Sequence, residues 1–443
     1  MNKQYSLFCC FLLLFTLTAC AGKSPKVPVT AQANDTRIAD EKTFPQDLNY
    51  VAKKAGNKRE LLDRTQQLEQ DRRYNSIFFG PWSMSRANTK KADVCIRKAR
   101  GYKLGGLRWP QDEWDVIVAN ANVSTYPSLA QPAITLRNTD LRQIPTHEAR
   151  YDKAITNAPS YPFDDFQYSL LAVGMPVFIT HASADRRWYF LETPLAAGWV
   201  DANDVAPVDG TLASTWKSHD LAAITKDKTS LAPGIFANVG AILPIAEKSG
   251  SSLTLYYPVR EDNGWAGLRT VKLSSNQAQA KPLPITPGNV ARLGSEMFGQ
   301  KYGWGGMYGL RDCSATTRDL LAPFGIWLPR NSRAQARTGV VQNLEGLSKE
   351  EKEHIIQQFG TPFLSLIGLP GHITMYVGVY DGQAAILHNV WGVRTVDGAN
   401  TNARHVIGKT LITSIAPGAE LPDLYRPVSF VDRVRSLSTP GVR

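Results

Sequence analysis

Hydrophobic and polar positions divide the 443-residue chain into stretches of different rhythm. A short apolar run, Phe8 to Phe15, follows Lys3 and is too short to cross a bilayer as a permanent helix; residues 1–19 read as an export signal. Residues 20–43 carry Lys, Pro, Ser, Thr, Asn and Asp without apolar period and read as a solvated tether. Residues 44–145 predict a mainly helical, partly irregular region. Arg59 to Arg73 is highly charged there, NSIFFGPW ends in an aromatic anchor at Trp82, and Gly105-Gly106 and Trp109-Pro110 punctuate the rest.

From residue 146 the period shortens to two. VFIT and RWYFLE alternate between turn residues, predicting a small β-barrel over 146–210. Residues 211–281 repeat the pattern, with a hairpin turn at Lys248-Ser249-Gly250, and predict a second barrel. Pro282 to Pro287 is a proline-rich linker. In the last domain, 288–440, NVARLGSEMFG predicts an amphipathic helix and SATTRDLLAPFG a second one. ITMYVGVY and AAILHNV predict strands joined by Asp381-Gly382, a strong hairpin signal. KEEKEH predicts an exposed helix in a segment inserted between Gly339 and Gly368.

Composition narrows this little. A hydrophobic fraction of 43% with 10 Trp, 16 Tyr and 16 Phe is that of a folded chain. The net charge of +11 suits a polyanionic neighbour without choosing one, and export disfavours nucleic acid. Of five cysteines, Cys9 and Cys10 leave with the signal. Leu17-Thr18-Ala19-Cys20 resembles a bacterial lipobox, which implies a lipidated Cys20 and a lipid-anchored protein of the cell envelope, facing the periplasm. Cys95, in ADVCIRKAR, is expected to be a free, buried thiol on a helix, because a disulfide to Cys313 would consume a nucleophile.

The chemistry concentrates in YGWGGMYGLRDCS, residues 302–314, and in His372 and His388 downstream. Cys313 stands at the start of a predicted helix, where the helix dipole favours the thiolate. The histidines fall at the start of one predicted strand and near the end of its partner, so antiparallel pairing brings them together. His147, His181, His219, His354 and His405 share no motif, and no ligand cluster has metal spacing, so neither metal nor cofactor is expected.

Tyr302-Gly303-Trp304-Gly305-Gly306, Asp312-Cys313-Ser314, Leu328-Pro329-Arg330, Ser332, Gln335 and Gly371-His372 resemble, in order, the NlpC/P60 family of papain-like cysteine peptidases. Ala315 replaces the glycine usual in that family, and His388 follows His372 by sixteen residues, more than is common. The resemblance implies Cys313 as nucleophile, His372 as base, His388 as its orienter, Tyr302 at the oxyanion, and Asp312, Ser314 and Trp304 as substrate contacts, with Asp312 meeting a free amine. Arg311 would weaken that last role if it folded inward. Gly198-Trp199-Val200 before Asp204-Val205 resembles the end of a bacterial SH3 domain, and the FFGPW region resembles the helical piece of multidomain members. In those members the first SH3 domain walls the cleft. Leu195-Ala196-Ala197 lacks the tyrosine that several relatives carry there, leaving Tyr168 or Asp165 as substitutes.

The expected fold is therefore multidomain: an α+β papain-like catalytic domain preceded by two SH3-like β-barrels and a mainly helical N-terminal region. The expected activity is cleavage of the γ-D-Glu–diamino acid amide of murein stem peptides bearing a free L-Ala. Alternatives are an amidase or crosslink endopeptidase on intact peptidoglycan, or a wall-binding scaffold with an inactive peptidase domain. Oligomeric state stays open.

Overall fold

The computed structural model describes residues 36–154 and 163–442. The export signal, Cys20 and most of the expected tether lie outside them. The tether was expected to run to residue 43, but its end is packed. Ile38 is fully buried, Asp40–Thr43 is a helix, and the Asp40 carboxylate accepts from the Ser414 backbone N–H at 2.7 Å and its hydroxyl at 2.8 Å. Gln46 then hydrogen-bonds both the carbonyl and the N–H of Ile412, closing a sheet edge with a side chain.

Helices Leu48–Lys54 and Arg64–Phe78 start at aspartate caps, Asp47 and Asp63, whose carboxylates accept from the first free N–H groups. Gln67 on the second donates to the carbonyls of Leu283 and Phe324, tying this region to the linker and the last domain. The aromatic anchor is buried at Trp82, whose indole donates to Ala133 at 2.7 Å. A further helix spans Gln111–Asn120.

The segment around Cys95 is irregular, against the expected helix. The carbonyls of Val94 and Ile96 accept from the indoles of Trp199 and Trp114, both at 2.8 Å, and these tertiary bonds take the place of a helical ladder. Cys95 and Cys313 are both free and buried, and burial pushes the Cys95 thiol up to about 12.

The first barrel starts earlier than residue 146. Strands Gln131–Thr135 and Thr139–Arg142 belong to its seven-stranded sheet, ordered Gln167–Leu171, Thr139–Arg142, Ala197–Asp201, Trp188–Glu192, Pro176–Ala182, Gln131–Thr135, Val205–Pro207. A Cβ on Gly198 would meet the Arg142 carbonyl at 2.7 Å, which is why the residue before the buried Trp199 has no side chain. The second β unit is a five-stranded sheet between Leu221 and Ala280 with a separate hairpin, Thr229–Ala232 with Ile235–Ala237. Helix Gly210–Ser218 joins the two and buries Trp216 completely.

The last domain opens with helix Pro287–Ser295, then the turn Trp304–Gly309 and helix Cys313–Leu321. Its six-stranded sheet runs Val340–Asn343, Ser436–Thr439, Leu366–Leu369, His372–Tyr380, Gln383–Asp397, Asn400–Ser414. Asp381 and Gly382 both have positive φ, as the tight hairpin requires. The strand after them runs to Asp397, well past Val390, and a second hairpin returns it as Asn400–Ser414. Asp397-Gly398 is the same turn signal as Asp381-Gly382. Helix Lys349–Phe359 opens on a reciprocal Ser348–Glu351 capping box; Glu350 and Glu351 are exposed, but Ile356 and Lys352 are buried, against the expected exposed helix, and Lys352 donates to the Val431 carbonyl at 3.0 Å.

Candidate active site

Asp312 caps the Cys313 helix, accepting from the Ala315 N–H at 2.8 Å, which places Cys313 in the first helical turn. Its oxygens also accept from Gly305 N–H at 3.1 Å and from Arg330 at 2.6 and 3.2 Å. Arg330 reaches further, donating to the hydroxyls of Ser314 and Ser169, each at 2.8 Å. Burial acts to raise the Asp312 carboxyl, but the charge and hydrogen bonds of Arg330 outweigh it and hold it below the usual carboxylate range. Ser169 lies on a strand of the first barrel, so this one buried arginine joins that barrel to the Cys313 helix.

The expected sheet pairing brings the histidines together. Met375 pairs with Leu387, which leaves His372 one diagonal step from His388 on the same face. His372 Nε2 lies 3.0 Å from His388 Nδ1, and His388 Nε2 lies 3.1 Å from the Thr413 hydroxyl on the third strand. Thr413 donates its own proton to the Ser414 carbonyl at 2.7 Å. Its oxygen therefore accepts from His388 Nε2–H, His388 Nδ1 accepts from His372 Nε2–H, and the lone pair of His372 Nδ1 is left bare. The backbone N–H of Ile373, next after His372, points at the Cys313 thiol. Phe430 covers both imidazoles with ring centroids at 5.6 and 5.7 Å.

Electrostatics overturn the expected thiolate. Burial, then the neighbouring Asp312 charge, push Cys313 up to about 12, against smaller pulls from the Ile373 N–H and Arg330. The helix dipole does not overcome them. Burial, reinforced by Arg433, pushes His372 down to about 3, and burial holds His388 well below its ordinary value. The resting site is a neutral thiol among neutral imidazoles. Both histidines refuse a proton that the unfolded chain takes near pH 6.5. The unfolded state binds more protons below that pH, so stability falls as pH drops from about 6.5 toward about 3. Thermal melts across that range should show the decline, and His388→Gln should reduce it.

In front of the histidines lies a cleft of about 170 Å³, lined by Phe163, Tyr302, Trp304, Trp391, Phe430 and three arginines. Tyr302 has no hydrogen-bond partner for its hydroxyl among the described residues. Burial, then the charges of Cys313 and Asp312, hold its phenol well above its usual value. Trp304 donates to the Asp164 carbonyl at 2.9 Å and meets Phe163 edge-on at 5.1 Å.

Residues 299–412 match the NlpC/P60 family, residues 150–201 an SH3 domain of the SH3b1 type, and residues 7–126 the N-terminal NLPC_P60 stabilising domain. The last domain is an NlpC/P60 domain. An NlpC/P60 endopeptidase from Photobacterium damselae subsp. piscicida superimposes with a TM-score of 0.79 at 25% identity, over 90% of this chain and 97% of that one. An NlpC/P60 family protein from Bacillus cereus covers 69% of this chain and 98% of its own, with a TM-score of 0.44 at 16% identity. No curated protein matches the chain.

Around the NlpC/P60 core several expectations change. Asp312 is fully engaged by Arg330 and backbone N–H groups and has no oxygen left for a substrate amine; Ser314 is buried in the same network. Arg311 folds away from Asp312, onto Asp227 at 2.7 and 2.8 Å and Asp319 at 2.8 Å, and so ties the second β unit to the Cys313 helix. Tyr168 does not line the cleft, because strand alternation turns its neighbours Gln167 and Ser169 toward the NlpC/P60 domain. Asp165 pairs with Arg150 at 3.0 Å and is pushed up to about 6, first by burial. Among the described residues the SH3 residue in the cleft lining is Phe163, which sequence reading missed, along with Thr413, Trp391, Phe430 and the arginines.

Proposed function

We propose that this NlpC/P60 peptidase is a cell-envelope cysteine endopeptidase that cuts the amide between γ-D-Glu and the diamino acid of murein stem peptides. The observation that carries the catalytic assignment is the directed chain Ser414, Thr413, His388, His372, which leaves the Nδ1 lone pair of His372 free, while the next backbone N–H, of Ile373, points at the Cys313 thiol. Cys313 Sγ attacks the amide carbon as His372 Nδ1 takes the thiol proton. The negative oxygen receives hydrogen bonds from the Cys313 backbone N–H, free of a helical acceptor in the first turn, and from the Tyr302 hydroxyl. His372 returns the proton to the leaving amine, and water then cleaves the thioester. Imidazolium at His372 is stabilised by His388, whose Nδ1 accepts from it.

Preference for a free L-Ala amine rests on closure of the groove by the first barrel, with Phe163 against Trp304 as its aromatic wall. The test is product analysis by mass on stem peptides with free and blocked L-Ala amines, beside intact sacculi. Cleavage confined to sacculi would overturn the stem-peptide assignment. The lipobox-like Leu17-Thr18-Ala19-Cys20 supports an envelope location through a lipidated Cys20, tested by incorporation of a labelled fatty acid, lost in Cys20→Ala. Among the described residues no helix is long and apolar enough to cross a membrane.

Two predictions belong to this mechanism. Burial pushes Cys313 up and His372 down, so the pair holds a single proton across neutral pH and kcat/KM should be flat between about pH 5 and about pH 9. A bell with both limbs inside that range would contradict a neutral resting pair. Thr413→Val keeps the shape but removes the acceptor that fixes His388. It should lower kcat by about 10- to 100-fold with KM little changed, and Thr413→Ser should restore activity.

A further inference from the structure

The long hairpin that extends the sheet places Arg394 directly opposite Arg404 across paired strands. Like charges at directly facing positions are destabilising unless solvent or a counter-charge offsets them. Arg433, on the turn Val431–Arg433, lines the same cleft, and all three face the space in front of His372. Their protein partners are carbonyls. Arg394 donates to Thr401 at 2.6 Å, Arg404 to Asn402 and Ala403 at 3.3 and 3.0 Å, and Arg433 to Pro370. Tyr425 stacks on the Arg394 guanidinium at 3.9 Å and holds it in place. Among the described residues no carboxylate pairs with any of the three, although Arg142, Arg150, Arg311 and Arg330 elsewhere all have one. Partial desolvation, then repulsion from the neighbouring guanidiniums, disfavours the charges on Arg404, which is exposed, and on Arg433, which is half-buried.

We infer that Arg394, Arg404 and Arg433 form a carboxylate-binding subsite that reads a free carboxylate of the peptide substrate beside the scissile bond. This rests on the peptidase assignment above. A guanidinium offers paired N–H donors matching a carboxylate, and three of them around a cleft of about 170 Å³ suit a small, multiply acidic peptide. A γ-linked glutamate keeps its α-carboxylate, and the diamino acid adds another, so the peptide carries more than one candidate group.

The test uses the full chain with Cys313→Ala, so that ligand is bound without being cut. Calorimetry compares L-Ala-γ-D-Glu-diaminopimelate with forms amidated singly at the D-Glu α-carboxyl, the diaminopimelate side-chain carboxyl and the C-terminal carboxyl. Amidating the group that is read should weaken binding about 10-fold or more, identifying which carboxylate it is. Arg394→Gln, Arg404→Gln and Arg433→Gln should each weaken the free acid by a similar factor. They should leave the affinity for that amidated form unchanged, the signature of direct coupling. Removing one of three repelling cations should hold or raise the melting temperature. Equal affinity for acid and amides, or equal loss for both ligands in the variants, would overturn the subsite; so would a fall in melting temperature accompanied by loss of all binding. If the active enzyme cuts no stem peptide while the Cys313→Ala form still shows arginine-dependent carboxylate binding, the cleavage assignment fails and the subsite stands. If it cuts acid and amidated substrates with equal KM, the subsite fails and the cleavage assignment stands.

Discussion

Cys313→Ala is expected to lose hydrolysis of L-Ala-γ-D-Glu-diaminopimelate by at least about 10³-fold while the chain stays folded. The fold makes little demand on the sulfur. The side chain is 6% exposed, and alanine is a good helix former at the position. The change removes only the atom that forms the acyl-enzyme. His372→Ala should cost a similar factor, since it removes the base assigned to take the proton of a thiol that is pushed up to about 12. Combining the two should cost little more than either alone, because nucleophile and base act as a unit. Near-normal turnover by Cys313→Ala, followed by mass analysis of released amine, would remove Cys313 from the mechanism. Normal melting in the same sample would confirm that the loss is chemical.

Arg330→Ala is expected to destabilise the protein by about 3–5 kcal/mol, because it strands the buried Asp312 carboxylate and breaks the tie to Ser169. Arg330→Lys should recover little: one ammonium cannot reach both carboxylate oxygens, Ser314 and Ser169 from a single stem. Asp312→Asn in the Arg330→Ala background should restore part of the loss by removing the orphaned charge. The pH dependence has a defined sign. Arg330 holds the Asp312 carboxyl below its unfolded value near 3.9, so its contribution is present above that pH and lost as pH falls through the folded value. Without Arg330, burial raises the carboxyl instead, and acid unfolding should move to higher pH. Denaturant titrations at two pH values check both statements; an Arg330→Ala protein as stable as the parent would show that the ion pair does not hold the barrel to the Cys313 helix.

The residues proposed for the chemistry were legible because their signals are local. A cap, a helix start and a hairpin turn place Cys313, His372 and His388 by short-range rules, and Asp381-Gly382 sets the pairing that joins the histidines. Neighbouring signals failed where a single-residue choice of face mattered. Tyr168 was singled out in the first barrel, but alternation turns Gln167 and Ser169, on either side of it, toward the catalytic domain. Asp312 showed the chemistry of an amine receptor, yet that chemistry is consumed by Arg330, eighteen residues away. Cys95 lost its helix to two distant indoles.

Sequence by itself determined the order of domains and the hairpin that joins the two histidines, which depend on local pattern, and the resemblance of its motifs to the NlpC/P60 family picked out the three residues of the proposed triad. Only the tertiary structure decided what state those residues rest in and what surrounds them. Burial is a property of the whole packed chain. It turns an expected thiolate into a neutral thiol and empties the histidines of charge. Phe163 and the three arginines reach the cleft, and Thr413 reaches His388 behind it, from separate strands, turns and domains, and only the closed fold brings them together.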